Sequence, residues 1–233
     1  MSITQNIEHV SALIAKAARG VGRDPASVTL LAVSKTFGPD AVIEAAEAGQ
    51  RAFGENYLQE AIDKQQAVLL LRPDLALEWH FIGPIQSNKT RPIAEHFAWA
   101  HAVDREKIAR RLSEQRPPNL PPLNFCLQVN VSGEDSKSGV APTEVLALAQ
   151  VVATLPGLQL RGLMAIPEPA EDVESQRKPF ALLRALQQQL TEAGIPTDTL
   201  SMGMSADMDA AIAEGATIVR IGTAIFGRRD YAK

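Results

Sequence analysis

Lys35 follows directly on the apolar run Leu30-Leu31-Ala32-Val33-Ser34, and its amine is the first group along the chain with an evident chemical use. An amine held at a rigid strand end beside an apolar interior is desolvated. Desolvation lowers its pKa and favours the neutral nucleophile that imine formation with an aldehyde requires. A lysine snorkelling to solvent competes with this reading and, on spacing alone, is the commoner case. A second feature is the segment Leu200-Ser201-Met202-Gly203-Met204-Ser205-Ala206-Asp207. Ser205 reads as the N-cap of a helix with Asp207 in its first turn, and helix N-termini attract phosphate through free N–H groups and the dipole. A plain capped helix would look the same. Gly222-Thr223 ends the last apolar run, and Arg220 alternates onto the same side as Gly222. A guanidinium facing an interior is costly unless it is paired or meets a ligand. An ion pair with a buried carboxylate is the ordinary alternative.

These residues need a scaffold, and the chain alternates short apolar runs with longer amphipathic ones. Ile3, Ile7, Val10, Leu13, Ile14 and Ala17 recur at helical spacing, which predicts a helix with one buried stripe. Val28 to Val33 is continuously apolar and β-branched, as in a strand buried on both faces of a parallel sheet. A helix over Asp40 to Ala48 follows, closed by Gly49. Further strands are expected at Arg51 to Gly54, Glu78 to Ile82, Ala98 to Val103, Leu123 to Val131, Leu158 to Ile166, Leu200 to Gly203 and Thr217 to Ile221. The helices between them fall at Asn56 to Leu71, Lys89 to His96, Arg105 to Gln115, Thr143 to Leu155, Val173 to Ala193 and Asp207 to Glu214. Eight strands alternating with helices in 233 residues predict an α/β fold, a (β/α)8 TIM barrel forming one domain over residues 1–233. An open doubly wound sheet is the competing architecture.

In such a barrel the C-terminal strand ends share one opening, and the loops after strands seven and eight are its recurrent phosphate site. Lys35 after the first strand and Ser205, Gly222 and Thr223 after the last two would face each other there. An aldehyde and a phosphate on one ligand describe pyridoxal 5′-phosphate, with Arg220 donating to the ring nitrogen. Arginine keeps its proton, so that nitrogen stays unprotonated and the ring is a weaker electron sink. A sugar-phosphate aldolase would use the same lysine and the same cradle.

With Lys+Arg 23 against Asp+Glu 27, the formal net charge is −4, and there is no basic block, so a nucleic-acid partner is not expected. The single cysteine, Cys126, can form neither an internal disulfide nor a thiolate cage, which suits a cytoplasmic protein. No apolar run approaches the roughly 20 residues of a membrane span, and Met1 to Gly20 does not read as a secretory signal. His9, His80, His96 and His101 lack metal-ligand spacing.

Several separate motifs then agree with one family. Ala32-Val33-Ser34-Lys35-Thr36, Phe53-Gly54-Glu55-Asn56-Tyr57, His80-Phe81-Ile82-Gly83, Gln86-Ser87-Asn88-Lys89, Gly162-Leu163-Met164, Ser201 to Asp207 and Val219 to Gly227 occur in order. Together they resemble the pyridoxal phosphate homeostasis protein family, related to alanine racemase, over nearly the whole chain. Phe37-Gly38 departs from the second lysine and proline found in many members. The resemblance implies a fold-type III barrel without the C-terminal β-domain, holding pyridoxal phosphate as a Schiff base on Lys35. It further implies that Ser205, Gly222 and Thr223, with Ser201 as a lesser candidate, hold the phosphate. Arg220 would face the ring nitrogen, and Asn56 and His80 would line the pocket; a hydrogen-bonded strand-end histidine is the alternative for His80.

Members of this family look like carriers or regulators of cofactor supply, with apo pyridoxal-phosphate enzymes as recipients. A racemase, the alternative activity, needs a second base. The only tyrosines are Tyr57, which opens a helix, and Tyr231, in the tail. A monomer is expected, and Lys137 in the polar loop Asn130 to Gly139 is a candidate hand-over amine beside the plainer reading of a solvated loop lysine.

Overall fold

The computed structural model describes residues 1–133 and 138–228. Eight parallel strands close into a barrel in chain order: β1 Thr29–Val33, β2 Ala52–Glu55, β3 Glu78–Phe81, β4 Trp99–Val103, β5 Leu123–Gln128, β6 Leu158–Met164, β7 Thr199–Ser201 and β8 Ile218–Ile221. Closure comes from β1 against β8, with Thr29 opposite Ile218 and Ala32 opposite Ile221. The strands are short and almost wholly buried, because side chains pack on them from the lumen and from the helices outside.

Helix α1 (Ile3–Gly20) precedes the barrel, entered through a capping box in which Ser2 accepts from the Gln5 amide and Gln5 reciprocates. Its buried stripe is Ile7, Val10, Ile14 and Ala18; of the other residues expected in it, Ile3 and Ala17 are half-buried and Leu13 is exposed. Among the described residues seven α-helices then connect the strands: α2 Pro39–Glu47, α3 Leu58–Leu71, α4 Thr90–His96, α5 Glu106–Gln115, α6 Val145–Val152, α7 Val173–Glu192 and α8 Met208–Ala213. A final turn, α9 Thr223–Phe226, follows β8. Expected boundaries differ from the observed ones by up to three residues, most at β5 and α6, where the sequence stays apolar after the ladder or helix has ended. Cys126 is buried in β5, and burial pushes its thiol up to about 12. Among the described residues no helix is long and apolar enough to cross a membrane.

Candidate functional site

The C-terminal strand ends surround a cavity of about 360 Å³. Val33, Lys35, Asn56, Arg220, Gly222 and Thr223 contribute to its wall, and Met204, Ser205 and Ala206 cover it from the loop after β7. The pleat explains the membership: Val33 and Lys35, and likewise Arg220 and Gly222, alternate onto one side of neighbouring strands. A smaller cavity of about 250 Å³ shares Asn56, Ile82 and Ile166 with the first and continues towards Gln128 and Asn130.

The backbone on either side of Lys35 is held by a buried ion cluster. Ser34 Oγ donates to Glu55 Oε1 at 2.6 Å, and Lys64 Nζ donates to the Ser34 carbonyl at 2.8 Å. Lys64 also meets Glu55 at 2.6 Å and Glu60 at 3.1 Å. Glu60 in turn accepts the Thr36 amide N–H at 2.6 Å. Thr36 adopts φ +71°, a left-handed conformation that is unfavourable for a β-branched residue and persists only where its surroundings impose it. Burial raises the Glu55 carboxyl above its ordinary range, opposed by the charge of Lys64 and by hydrogen bonds from Lys64 and Ser34. Phe37 stacks on Phe226 with ring centroids 5.2 Å apart, tying the segment after Lys35 to the helical turn that Thr223 begins.

Two glycines shape the opposite wall. At Gly222 a Cβ would come 3.2 Å from the Val33 carbonyl oxygen, so the absent side chain keeps that part of the cradle open. Gly203 has φ +99°, and a Cβ there would lie 2.6 Å from the Ala211 Cβ. Its carbonyl accepts the Arg220 amide, fixing the β7 loop to β8. The loop turns differently from the sequence expectation. Asp207, not Ser205, occupies the N-cap position of α8, and its carboxylate accepts the Met204 amide at 2.7 Å. Ser205 is therefore exposed in the turn above the cavity, with its hydroxyl not engaged in capping α8.

Arg220 is 5% exposed and, among the described residues, bonds to no carboxylate. Its Nη1 donates to Ser201 Oγ at 2.7 Å and its Nη2 to the Ala165 carbonyl at 2.9 Å. Burial pulls the guanidinium down to about 10, and it still carries its positive charge at neutral pH. A buried cation at the cavity wall with no bonded carboxylate among the described residues, and only the more distant charge of Asp207 to offset it, favours an electron-rich ligand group.

Two sequence candidates lie one layer below the cavity wall. His80 shares its strand side with Ile82 but sits two residues deeper, roughly 6–7 Å down the barrel. Its Nε2 meets Glu78 Oε1 and its Nδ1 meets His101 Nε2, both at 2.8 Å, which is the buried hydrogen-bonded alternative rather than the cavity-lining one. Ser201 is fully buried, between His101 and Arg220, and does not contribute to the cavity wall. Tyr57 is half-exposed at the N-cap of α3 and outside the cavity wall. Lys137 and Tyr231 lie outside the described residues.

The sequence reading missed Glu55, Lys64 and His101 as working groups. Lys64 left a signal, since a lysine sits on the buried stripe of Ala61 and Val68.

A lysine, a buried arginine and a glycine-shaped cradle at the mouth of a closed eight-stranded parallel barrel define a class, and the comparisons agree with it. Residues 5–230 match the family profile described as alanine racemase, N-terminal domain. Alanine racemase of Clostridium difficile superposes with a TM-score of 0.71 at 14% identity, covering 95% of this chain and 60% of that one, a likeness of fold. A curated relative in Pseudomonas aeruginosa, the pyridoxal phosphate homeostasis protein, is 64% identical over 99% of this chain and 97% of its own. The protein of the same name in Vibrio cholerae is 60% identical over 100% and 98%. PipY of Synechococcus elongatus, solved with pyridoxal phosphate bound, has a TM-score of 0.80 at 38% identity, covering 92% of this chain and 100% of that one. The chain belongs to the pyridoxal phosphate homeostasis protein family, within the alanine racemase N-terminal domain fold.

Proposed function

We propose that this protein binds pyridoxal 5′-phosphate as a Schiff base on Lys35 and acts as a carrier in its homeostasis, with residues 1–233 working as one domain. The observation that carries the reading is the convergence of Lys35, Arg220, Gly222, Thr223 and Ser205 on one cavity of ligand size. Lys35 supplies the amine. Gly222, Thr223 and Ser205 offer the open cradle for the phosphate, and the Asn56 Oδ1, buried without a hydrogen-bond partner, is an acceptor available to a polar substituent. The bound cofactor would supply an electron-withdrawing ring. Arg220 would donate to the ring nitrogen without protonating it, which leaves that ring a poor electron sink.

The wall composition favours carriage over racemisation. A racemase needs a second proton-transfer group facing the substrate's α-carbon. Among the described residues that line the cavity, Lys35 brings the only amine; Arg220 keeps its proton, and the rest are aliphatic, amide or hydroxyl side chains, methionine and glycine. Recipients of the cofactor are apo pyridoxal-phosphate enzymes in the cytoplasm, and the protein acts as a monomer.

Two measurements test this. Pyridoxal phosphate added to the protein should produce a visible imine band, which Lys35→Ala abolishes while some phosphate-driven affinity remains. Mixing the loaded protein with an apo-enzyme acceptor should then restore the acceptor's activity faster than its dilution into the same total of free cofactor. A protein that stays colourless ends the Schiff-base assignment; a transfer rate equal to that from free cofactor ends the carrier assignment.

A further inference from the structure

A line of buried polar groups crosses the lumen from one face of the barrel to the other. It begins at Glu78, the first residue of β3, whose side chain is half exposed at the face opposite the cavity. His80 Nε2 lies 2.8 Å from Glu78 Oε1, and His80 Nδ1 lies 2.8 Å from His101 Nε2. His101 Nδ1 lies 2.8 Å from Ser201 Oγ, a contact between β4 and β7, which are not neighbours in the sheet. Ser201 Oγ accepts Arg220 Nη1, and Arg220 lines the cavity.

The direction of each bond follows from the ends. Arginine has donors only, so Ser201 Oγ is an acceptor towards Arg220 and its own O–H is free to donate to His101 Nδ1. His101 then carries its proton on Nε2 and donates to His80 Nδ1. His80 carries its proton on Nε2 and donates to the Glu78 carboxylate. Every donor points from the cavity towards Glu78, and both rings are neutral. The reverse order would leave the buried Ser201 hydroxyl proton without an acceptor and turn an imidazole lone pair onto a carboxylate. The electrostatics agree. Burial holds His80 below its ordinary range against the pull of Glu78. Burial, with the charge of Arg220 and the cost of charging a second ring beside His80, holds His101 well below. The Glu78 carboxyl is lowered, chiefly by the hydrogen bond from His80, with Trp99 and Arg161 adding to it. Arg161 is itself paired with Asp198, and the charge of Asp207 supports the Arg220 guanidinium against its burial.

We propose that Glu78, His80, His101 and Ser201 are positioning residues whose one-way hydrogen-bond chain fixes Arg220 as a permanent donor aimed at the ring nitrogen of pyridoxal phosphate. The proposal rests on the cofactor reading given above. Because the guanidinium can take no proton, the chain is closed at the cavity end and orients Arg220 without conducting protons to the ligand. It also couples the opposite face of the barrel to the cofactor's ring.

Nitrogen NMR of the histidine-labelled protein without added cofactor tests the polarity directly. His80 and His101 should both show a protonated Nε2 and a bare Nδ1, with no titration between about pH 5 and 8. A protonated Nδ1 on either ring, or a ring that charges in that window, overturns the proposal whatever the cofactor result. The coupling is tested on the loaded protein with Glu78→Leu and Glu78→Gln. Loss of the terminal acceptor loosens Arg220, weakens its electrostatic effect on the imine, and should raise the midpoint of the imine's pH titration by about one unit. Glutamine, whose carbonyl still accepts from His80, should restore the midpoint. A midpoint unmoved in Glu78→Leu, at unchanged folding by circular dichroism, overturns the coupling. Absence of the band in the parent protein overturns the cofactor reading instead, and the nitrogen spectra still decide the chain.

Discussion

Lys64 Nζ stands 2.6 Å from Glu55 Oε1, and neither side chain reaches solvent. The pair joins β2 to α3, and through Ser34 it grips the backbone one residue before the proposed Schiff-base lysine. Removing one partner of a buried pair leaves an uncompensated charge, at a cost of about 3–5 kcal/mol. Glu55→Leu should therefore lower the free energy of urea unfolding by that order, while Glu55→Gln, which keeps an acceptor for Ser34, should cost less. An unchanged urea midpoint in Glu55→Leu would mean that the cluster does not hold the Lys35 segment.

Gly203→Ala meets two obstacles, a left-handed backbone at φ +99° and a neighbour 2.6 Å from the new Cβ. Strain of this kind costs about 1–3 kcal/mol. The loop should relieve it partly by shifting Ser205, so the variant should melt lower and bind pyridoxal phosphate more weakly. Calorimetry and a binding titration read the two effects. A normal melting temperature with normal affinity contradicts the assigned geometry.

The strand-end residues were legible because barrel topology turns sequence order into location. A lysine after the first strand and a Gly-Thr pair after the eighth must share an opening once eight strands are counted. Depth was not legible. His80 and Ser201 carry suitable side chains near strand ends, yet the β3 ladder ends at Phe81, and Ile82 takes the rim position above His80. The loop after β7 also misled, since Ser205 and Asp207 both make good caps and only the turn geometry selects Asp207. Glu55 appeared within a motif without a role, because its partner Lys64 lies nine residues on, in the second turn of the following helix.

Acid should destabilise the protein from the histidine range downwards. His80 and His101 have folded pKa values below the ordinary 6.5, so the unfolded chain binds protons that the folded one refuses. Their contribution is fully present above about pH 6.5 and is lost as pH falls, at up to about 1.4 kcal/mol per pH unit for each ring. Urea unfolding at stepped pH should show this slope, and His80→Phe with His101→Phe should flatten it. A parent protein whose stability is level from pH 7 to 5 would contradict neutral, buried rings.

Arg220→Glu reverses the electronic role proposed for that position. A carboxylate facing the ring nitrogen favours its protonation and strengthens the ring as an electron sink. Exchange of alanine's α-proton in deuterated water should rise by about tenfold or more over the parent, equivalent to about 1.4 kcal/mol of barrier. Arg220→Gln, with no charge to offer, should stay at the parent's level. Equal exchange in parent and Arg220→Glu would remove the argument that arginine suppresses carbanion chemistry here.

The central claim is a covalent one, and chemical trapping reads it most directly. Reduction of the pyridoxal-phosphate-loaded protein with borohydride, followed by digestion and mass spectrometry of the peptides, should place the phosphopyridoxyl group on the peptide containing Lys35 at close to one per chain. The tag on another lysine, or on none, would contradict the account.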